Sequence, residues 1–305
     1  LGEPHSVYLN AEEYKSMKMQ TSATYAGVGM VLGTDDKGLY AVSVMEDQPA
    51  FKAGIKPGDH IIAIDGQSTT EIPVEEASSR IRGEAGTFVV LRILRSGEER
   101  EISIERKTIV MPTVRGKMLD DSVGYIRLTQ FAEKTVDEFT KIYEDLQAKG
   151  MKRLVLDLRD NPGGLITTAH GIGQYLIPKG PIVTVQTRKG RNSAYMSRGD
   201  HSLIPLVVLI NGNSASASEI IAGAVQDTKS GIIVGTKSYG KGTVQSVVQG
   251  LDEEGLKITI ARYHTPNDRV IDGIGIIPDE IVEPSKANPE EDVQLERAIE
   301  IVKTL

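Results

Sequence analysis

Residues 205–227 read P-L-V-V-L-I-N-G-N-S-A-S-A-S-E-I-I-A-G-A-V-Q-D, and residues 231–245 read G-I-I-V-G-T-K-S-Y-G-K-G-T-V-Q. Leu206 to Ile210 form an unbroken apolar run rich in β-branching, which predicts a strand buried on both faces. Asn211, Gly212 and Asn213 break it sharply. Small residues follow, and Glu219 then falls in the first turn of a helix marked by Ile220, Ile221, Ala224 and Val225 at helical spacing. A hydroxyl at such a strand-to-helix bend stands clear of its own backbone and close to the amides of the helix start. Nucleophiles are often placed this way. A second apolar run, Gly231 to Gly235, leads into Lys241, which has a glycine on either side.

Outward from this stretch, Leu154 to Leu158 is another buried strand. It ends in R-D-N-P-G-G at 159–164 and gives way to a helix reaching about Leu176. Strands are expected at 123–128, 182–186 and 257–263. One helix should run from Phe131, its first apolar anchor, to about Lys149, with Gly150 as the stop. A last amphipathic helix should begin near Glu290. Strands alternating with helices of this length describe a layered α/β domain. Near the start, Asn10 with Glu13 three positions later is a capping box for a short helix.

Residues 23 to about 109 have a different texture, with short strands at 39–44, 61–64, 87–94 and 101–105 and one short helix at 74–81. Asp65-Gly66 is a tight-turn dipeptide. Tyr25-Ala26-Gly27-Val28-Gly29-Met30 is a glycine-punctuated loop entering a strand, and A-G-I-K-P-G-D-x-I-x-x-I-D-G spans 53–66. This unit resembles a PDZ domain, and Gly27, Val28, Gly29 and Met30 stand where that family binds a peptide carboxylate. Successive glycines let backbone N–H groups converge on an anion, while the adjacent strand edge accepts the peptide as an extra strand. The alternative is a small β-domain used only for packing.

Composition narrows the classes. The 305 residues are enough for about two domains. The formal charge of -7 is spread along the chain, without the basic stripe of a nucleic-acid surface. Cysteine is absent, which removes disulfides, thiolate metal sites and a cysteine nucleophile. The longest apolar run is far too short to span a bilayer. A start at Leu1, without methionine or signal-like segment, leads us to expect a trimmed or mature fragment whose address or anchor lies outside it.

Candidate chemistries differ in how well they survive. Gly235 to Lys241 nearly matches a phosphate-binding loop, but Gly242 follows the lysine where serine or threonine is needed. The β-branched run after it offers no helix N-terminus. No G-x-S-x-G elbow and no spaced metal-ligand set is present. Among the five histidines, His170 near Asp160 is the one pairing worth checking. Ser216 with Lys241 as base remains. A lysine accepts a proton only when neutral, so its pKa must fall by about three units from roughly 10.4, on the order of 4 kcal/mol of desolvation stress. On spacing alone a solvated loop lysine is the simpler reading.

N-G-N-S-A-S-A-S-E-I-I-A-G-A-V-Q-D and G-T-K-S-Y-G-K-G-T-V-Q resemble the carboxy-terminal processing (tail-specific) proteases. So do L-D-L-R-D-N-P-G-G-L, the PDZ-like unit, P-H-S-x-Y-L at the start, A-R-Y-H-T-P, and G-I-G-I-I-P-D. The resemblance covers essentially the whole chain in order. The pattern departs at Glu3-Pro4, where an aspartate is usual, and at His264, which replaces a common aromatic. The fold it implies is α/β: a Clp-protease/crotonase-like serine protease core at 110–305, with an inserted or preceding small β-rich PDZ domain at 23–109. Residues 1–22 would be the remnant of a helical or dimerisation region. It implies Ser216 as nucleophile, Lys241 as general base, Gln245 orienting that lysine, and the amides of Gly164 and Ala217 as oxyanion hole. It further implies a serine endopeptidase without cofactor or metal. Protein substrates would be recognised by apolar C-terminal tails, in an extracytoplasmic setting (periplasm or cell envelope). A homo-oligomer such as a dimer, and a membrane anchor beyond the fragment, stay open. Arg82, in I-R-G-E-A-G-T, is a candidate for sensing PDZ occupancy or else a solvated helix-end arginine. A catalytically silent peptide-binding scaffold and an enoyl-coenzyme A-type enzyme on the same core fold are the competing classes.

Overall fold

The computed structural model describes residues 6–187, 189–190, 192–250, 253–285, 287–288 and 291–305. The expectations placed on Glu3, Pro4, His5 and Glu290 lie outside the described residues. The chain divides into two compact units. One is Thr24–Met111. The described residues before Thr24 and from Pro112 onward form the other, so the smaller unit is an insertion in sequence.

The larger unit is built on a six-stranded sheet. Its order is Val114–Met118, Val123–Leu128, Arg153–Asp157, Leu206–Ile210, Ile232–Gly235 and Glu280–Ile281. The first pair is antiparallel and every later pair parallel. The expected strand at 206–210 forms with all of its residues buried, because both faces of the sheet are covered. Leu206, Val208 and Ile210 face one core together with Phe139, Ile172, Ile220 and Val225 from three helices, Thr135–Ala148, Ile166–Leu176 and Ala217–Thr228. Val207 and Leu209 face the opposite core, against Ala298 and Val302 of the Val293–Thr304 helix. A period of two in a fully apolar run gives two dry faces.

A second, antiparallel sheet runs in the order Val7–Leu9, Gly255–His264, Gly180–Thr187, Asn192–Ser197. Thr243–Gln249 also pairs with the long Gly255–His264 strand. The N-terminal helix Ala11–Ser22 begins with the expected capping box, in which Asn10 and Glu13 satisfy each other's amides at 2.9 Å.

One sequence expectation needs correcting. Phe131 does not open a helix, which starts only at Thr135. Instead Phe131 is fully buried and bridges in parallel to Gly164, donating its N–H to the Gly163 carbonyl and accepting from Leu165 N–H. The Thr135 hydroxyl takes the Ala132 N–H at 2.9 Å and so delays the helix. Phe131 is used to hold the glycine pair.

The smaller unit is an antiparallel sheet ordered Met30–Asp35, Gly38–Val44, His60–Ile64, Phe88–Arg95, Glu98–Glu105, with the helix Val74–Ile81 packed on it. Asp65 and Gly66 both have positive φ, as a two-residue hairpin turn requires.

Candidate active site

Three parallel strands end on the same edge of the main sheet, and the residues singled out in the sequence follow those ends. Past Ile210, the chain turns through Asn211 and Ser214, whose hydroxyl accepts from Asn211 N–H and donates to the Leu158 carbonyl. Ser216 then stands immediately before the Ala217–Thr228 helix with φ 55° and ψ -113°. This backbone is costly for a residue with a side chain, about 1–3 kcal/mol, and such strain gathers where a side chain must be aimed. The missing G-x-S-x-G signature therefore did not mean a missing elbow. The bend is made without the flanking glycines.

Past Asp157, the R-D-N-P-G-G segment curls under the same bend. Gly163 has φ +96°, and a Cβ there would lie 2.8 Å from the Ser216 Cβ and 2.8 Å from the Ala217 nitrogen, so only glycine permits the approach. Asn161 fastens this loop. Its side chain donates to the Leu128 carbonyl and accepts from Gly163 N–H, and its carbonyl accepts from Ser218 Oγ, all at 2.9 Å. Gly163 N–H is thus spent, whereas Gly164 N–H meets no acceptor among the described residues. The Ala217 N–H, first in its helix, is one of those that helical pairing leaves open.

Past Gly235, a turn brings Lys241 toward Ser216. A Cβ on Gly242 would lie 2.4 Å from the Asp272 nitrogen, so the glycine beside the lysine lets that turn press against residues 272–275. Glu219, fully buried, joins the Ser216 bend to the Lys241 turn. Its carboxylate accepts the Ser216 N–H at 2.8 Å, the Lys241 N–H at 2.9 Å, and the Gly240 N–H and Ser238 hydroxyl, both at 2.6 Å. The Glu219 N–H goes to the Ser216 carbonyl at 2.9 Å, and the carboxylate closes a capping box on the Ser216 N–H. No role for Glu219 was read from the sequence, although the S-x-x-E spacing from Ser216 was a usable signal.

Ser216, Lys241, Gln245, Gly163 and Gly164 line one cavity of about 380 Å³, walled by Leu165, Ile166, Ile220, Val244 and Tyr263. Lys241 is pushed below its ordinary pKa by burial first, then by the nearby Lys257 ammonium, with Glu219 acting in the opposite direction. A lysine takes up a proton only as the neutral amine, so with Lys241 as base a lowered pKa would extend activity to lower pH. Lys257→Met removes the repulsion, raises the pKa of Lys241, and should move the acid limb of the kcat/KM profile to higher pH. Glu219→Gln should move it the other way. Rate profiles of the two variants check both signs.

Gln245 shares the cavity, but its carboxamide nitrogen donates to the Thr243 hydroxyl at 2.7 Å. His170 is not paired with Asp160. Its Nε2 lies 2.9 Å from the Met196 carbonyl, and Asp160 instead accepts from the side chains of Asn211 and Asn213. The sequence could not separate these cases, because the helix carrying His170 points it along the second sheet. Among the described residues no His, Cys, Asp and Glu group could hold a metal, and no helix is long and apolar enough to cross a membrane.

In the smaller unit, Gly27, Val28, Gly29, Met30 and Leu32 line a groove with Tyr25, Ser78, Ile81 and Arg82. The Val28 and Gly29 carbonyls accept from Ala50 and Met45, while their N–H groups make no backbone bond among the described residues. Arg82 ends the Val74–Ile81 helix with its guanidinium 5.3 Å from the Tyr25 ring centre.

Residues 122–282 match the model of peptidase family S41, and residues 16–94 match that of the PDZ domain. The chain belongs to peptidase family S41. It is 40% identical over 293 residues to a carboxy-terminal-processing protease of Bartonella bacilliformis, an alignment covering 92% of this chain and 67% of that one. It is 35% identical to the carboxyl-terminal-processing protease of Synechocystis sp., over 99% of this chain and 74% of the relative. Among solved structures, the photosystem II D1 C-terminal processing protease superposes with a TM-score of 0.58 at 28% identity, over 98% of this chain and 82% of that one. As an S41 member the chain is a serine-type peptidase carrying a PDZ domain, and the expected α/β protease fold holds.

Proposed function

We propose that this peptidase is an endopeptidase working by acyl transfer from Ser216 to water, with Lys241 as general base. The observation that carries the reading is the buried Glu219 carboxylate, which binds the backbone of both residues and fixes them at one cavity where the lysine is desolvated. The Ser216 oxygen bonds to the substrate carbonyl carbon as its proton passes to the Lys241 amine. The C–N bond then breaks, the departing amine taking that proton. Water attacks the ester with its proton going to Lys241, and Ser216 leaves with it. The amides of Gly164 and Ala217 stabilise the oxyanion, in keeping with their open N–H groups. Gln245 orients Lys241 through its carboxamide oxygen, since the nitrogen is spent on Thr243.

The groove at Gly27–Met30 takes the substrate's terminal carboxylate. Apolar tail residues lie along the Met30–Asp35 strand, whose outer edge has no neighbouring strand among the described residues. Arg82 reports that occupancy, and Arg82→Ala should weaken activation by tailed substrates several-fold while leaving cleavage of tail-less peptides intact. Envelope proteins outside the cytoplasm are the substrate class, by likeness to the processing proteases.

Incubation of wild type and Ser216→Ala with casein tests the core of this reading. Cleavage by the wild type alone is expected. No cleavage by either would leave a peptide-binding scaffold, and equal cleavage by both would place the nucleophile elsewhere.

A further inference from the structure

The wall of the catalytic cavity holds a side chain that the Ser216–Lys241 pair leaves unexplained. Tyr263 lies on the Gly255–His264 strand and is only 2% exposed. Its hydroxyl is buried and, among the described residues, has no hydrogen-bond partner at good geometry. An unsatisfied buried hydroxyl costs stability, and phenylalanine would fill the same space without that cost. The residue is also firmly held. Its N–H donates to the Gly242 carbonyl at 3.0 Å, next to Lys241, and it pairs across the sheet with Val185. The phenol shares the cavity with Ser216 and Lys241, and the Glu219 carboxylate, the Ser216 hydroxyl and Asp272 all act on it, Ser216 through a hydrogen bond of poorer geometry.

Resting on the acyl-transfer reading above, we propose that Tyr263 is a positioning residue for the nucleophile, its phenolic O–H donating to Ser216 Oγ so that the serine's own proton faces Lys241. Burial, and then the Glu219 carboxylate, push the phenol well above its ordinary pKa. It therefore keeps its proton, which leaves the O–H available as a donor and excludes a second base. The bond strengthens as negative charge grows on Oγ, which favours the transition state over the resting enzyme.

Tyr263→Phe is the test, read on a peptide amide and on the p-nitrophenyl ester of the same peptide, whose leaving group needs no proton. The acylation rate should fall about 10- to 100-fold on both substrates by the same factor. KM and the acid limb of the pH profile should stay in place, and the melting temperature should hold or rise. An unchanged acylation rate overturns the proposal. Loss on the amide alone also overturns it, because the phenol would then serve the leaving amine. A marked drop in melting temperature would assign the hydroxyl a structural role instead. If wild type acylates no better than Ser216→Ala, the Ser216–Lys241 reading falls and this proposal with it.

Discussion

Lys241→Met is expected to reduce kcat/KM on a protein substrate by about 10⁴-fold or more, with the protein still folded. General base catalysis alone contributes roughly 10²- to 10⁴-fold, and an unactivated serine hydroxyl is a poor nucleophile at neutral pH. Met keeps an unbranched side chain one atom shorter and removes a buried amine whose burial is the largest cause of its lowered pKa. The substitution should therefore leave thermal stability unchanged or improve it. Ser216→Ala should be equally inactive, and the double variant no worse than either single one, because the two groups act on the same proton. Kinetics alongside thermal melts decide the matter. Residual activity of more than a few per cent in Lys241→Met would put the base elsewhere.

Glu219→Ala should be the most damaging change away from the reacting groups. The carboxylate satisfies three backbone N–H groups and the Ser238 hydroxyl in a fully buried place. Ser238 in turn accepts the Ile276 N–H at 2.6 Å, so the loss reaches the turn at 273–276. Each buried donor left without a partner costs about 1–3 kcal/mol, and water can rescue only part, so about 3 kcal/mol or more of stability should go. Activity should fall about 10³-fold even well below the melting temperature, because the backbone bond from Tyr239 N–H to the Ser214 carbonyl then remains between the two segments but grips neither Ser216 nor Lys241 itself. Denaturant unfolding gives the first figure and steady-state kinetics the second. Normal kcat in a merely less stable protein would limit Glu219 to a structural role.

Much of this molecule was legible as a string. The buried strand at 206–210, the helix after the serine-rich bend, the strand after Lys241 and the capping box at Asn10 all follow from local period, length and breakers, which act between near neighbours. The rejection of a phosphate loop at 235–241 likewise stood on what followed the lysine, and residues 243–249 are indeed a strand. Phe131 was misread because its apolar side chain suits a helix anchor as well as a bridge, and the competing pull of Gly163 and Gly164 lies more than thirty positions away.

The sequence by itself determined which elements form and, through its resemblance to the processing proteases, which residue types carry the chemistry. Only the tertiary structure decided that three strand ends share one edge, that Ser216 takes a strained backbone, that His170 faces Met196 rather than Asp160, and that one carboxylate grips both the serine and the lysine. The reason is physical. Strand and helix formation are settled by contacts a few residues apart, whereas burial, desolvation and the satisfaction of a buried carboxylate depend on segments brought together by the sheet order.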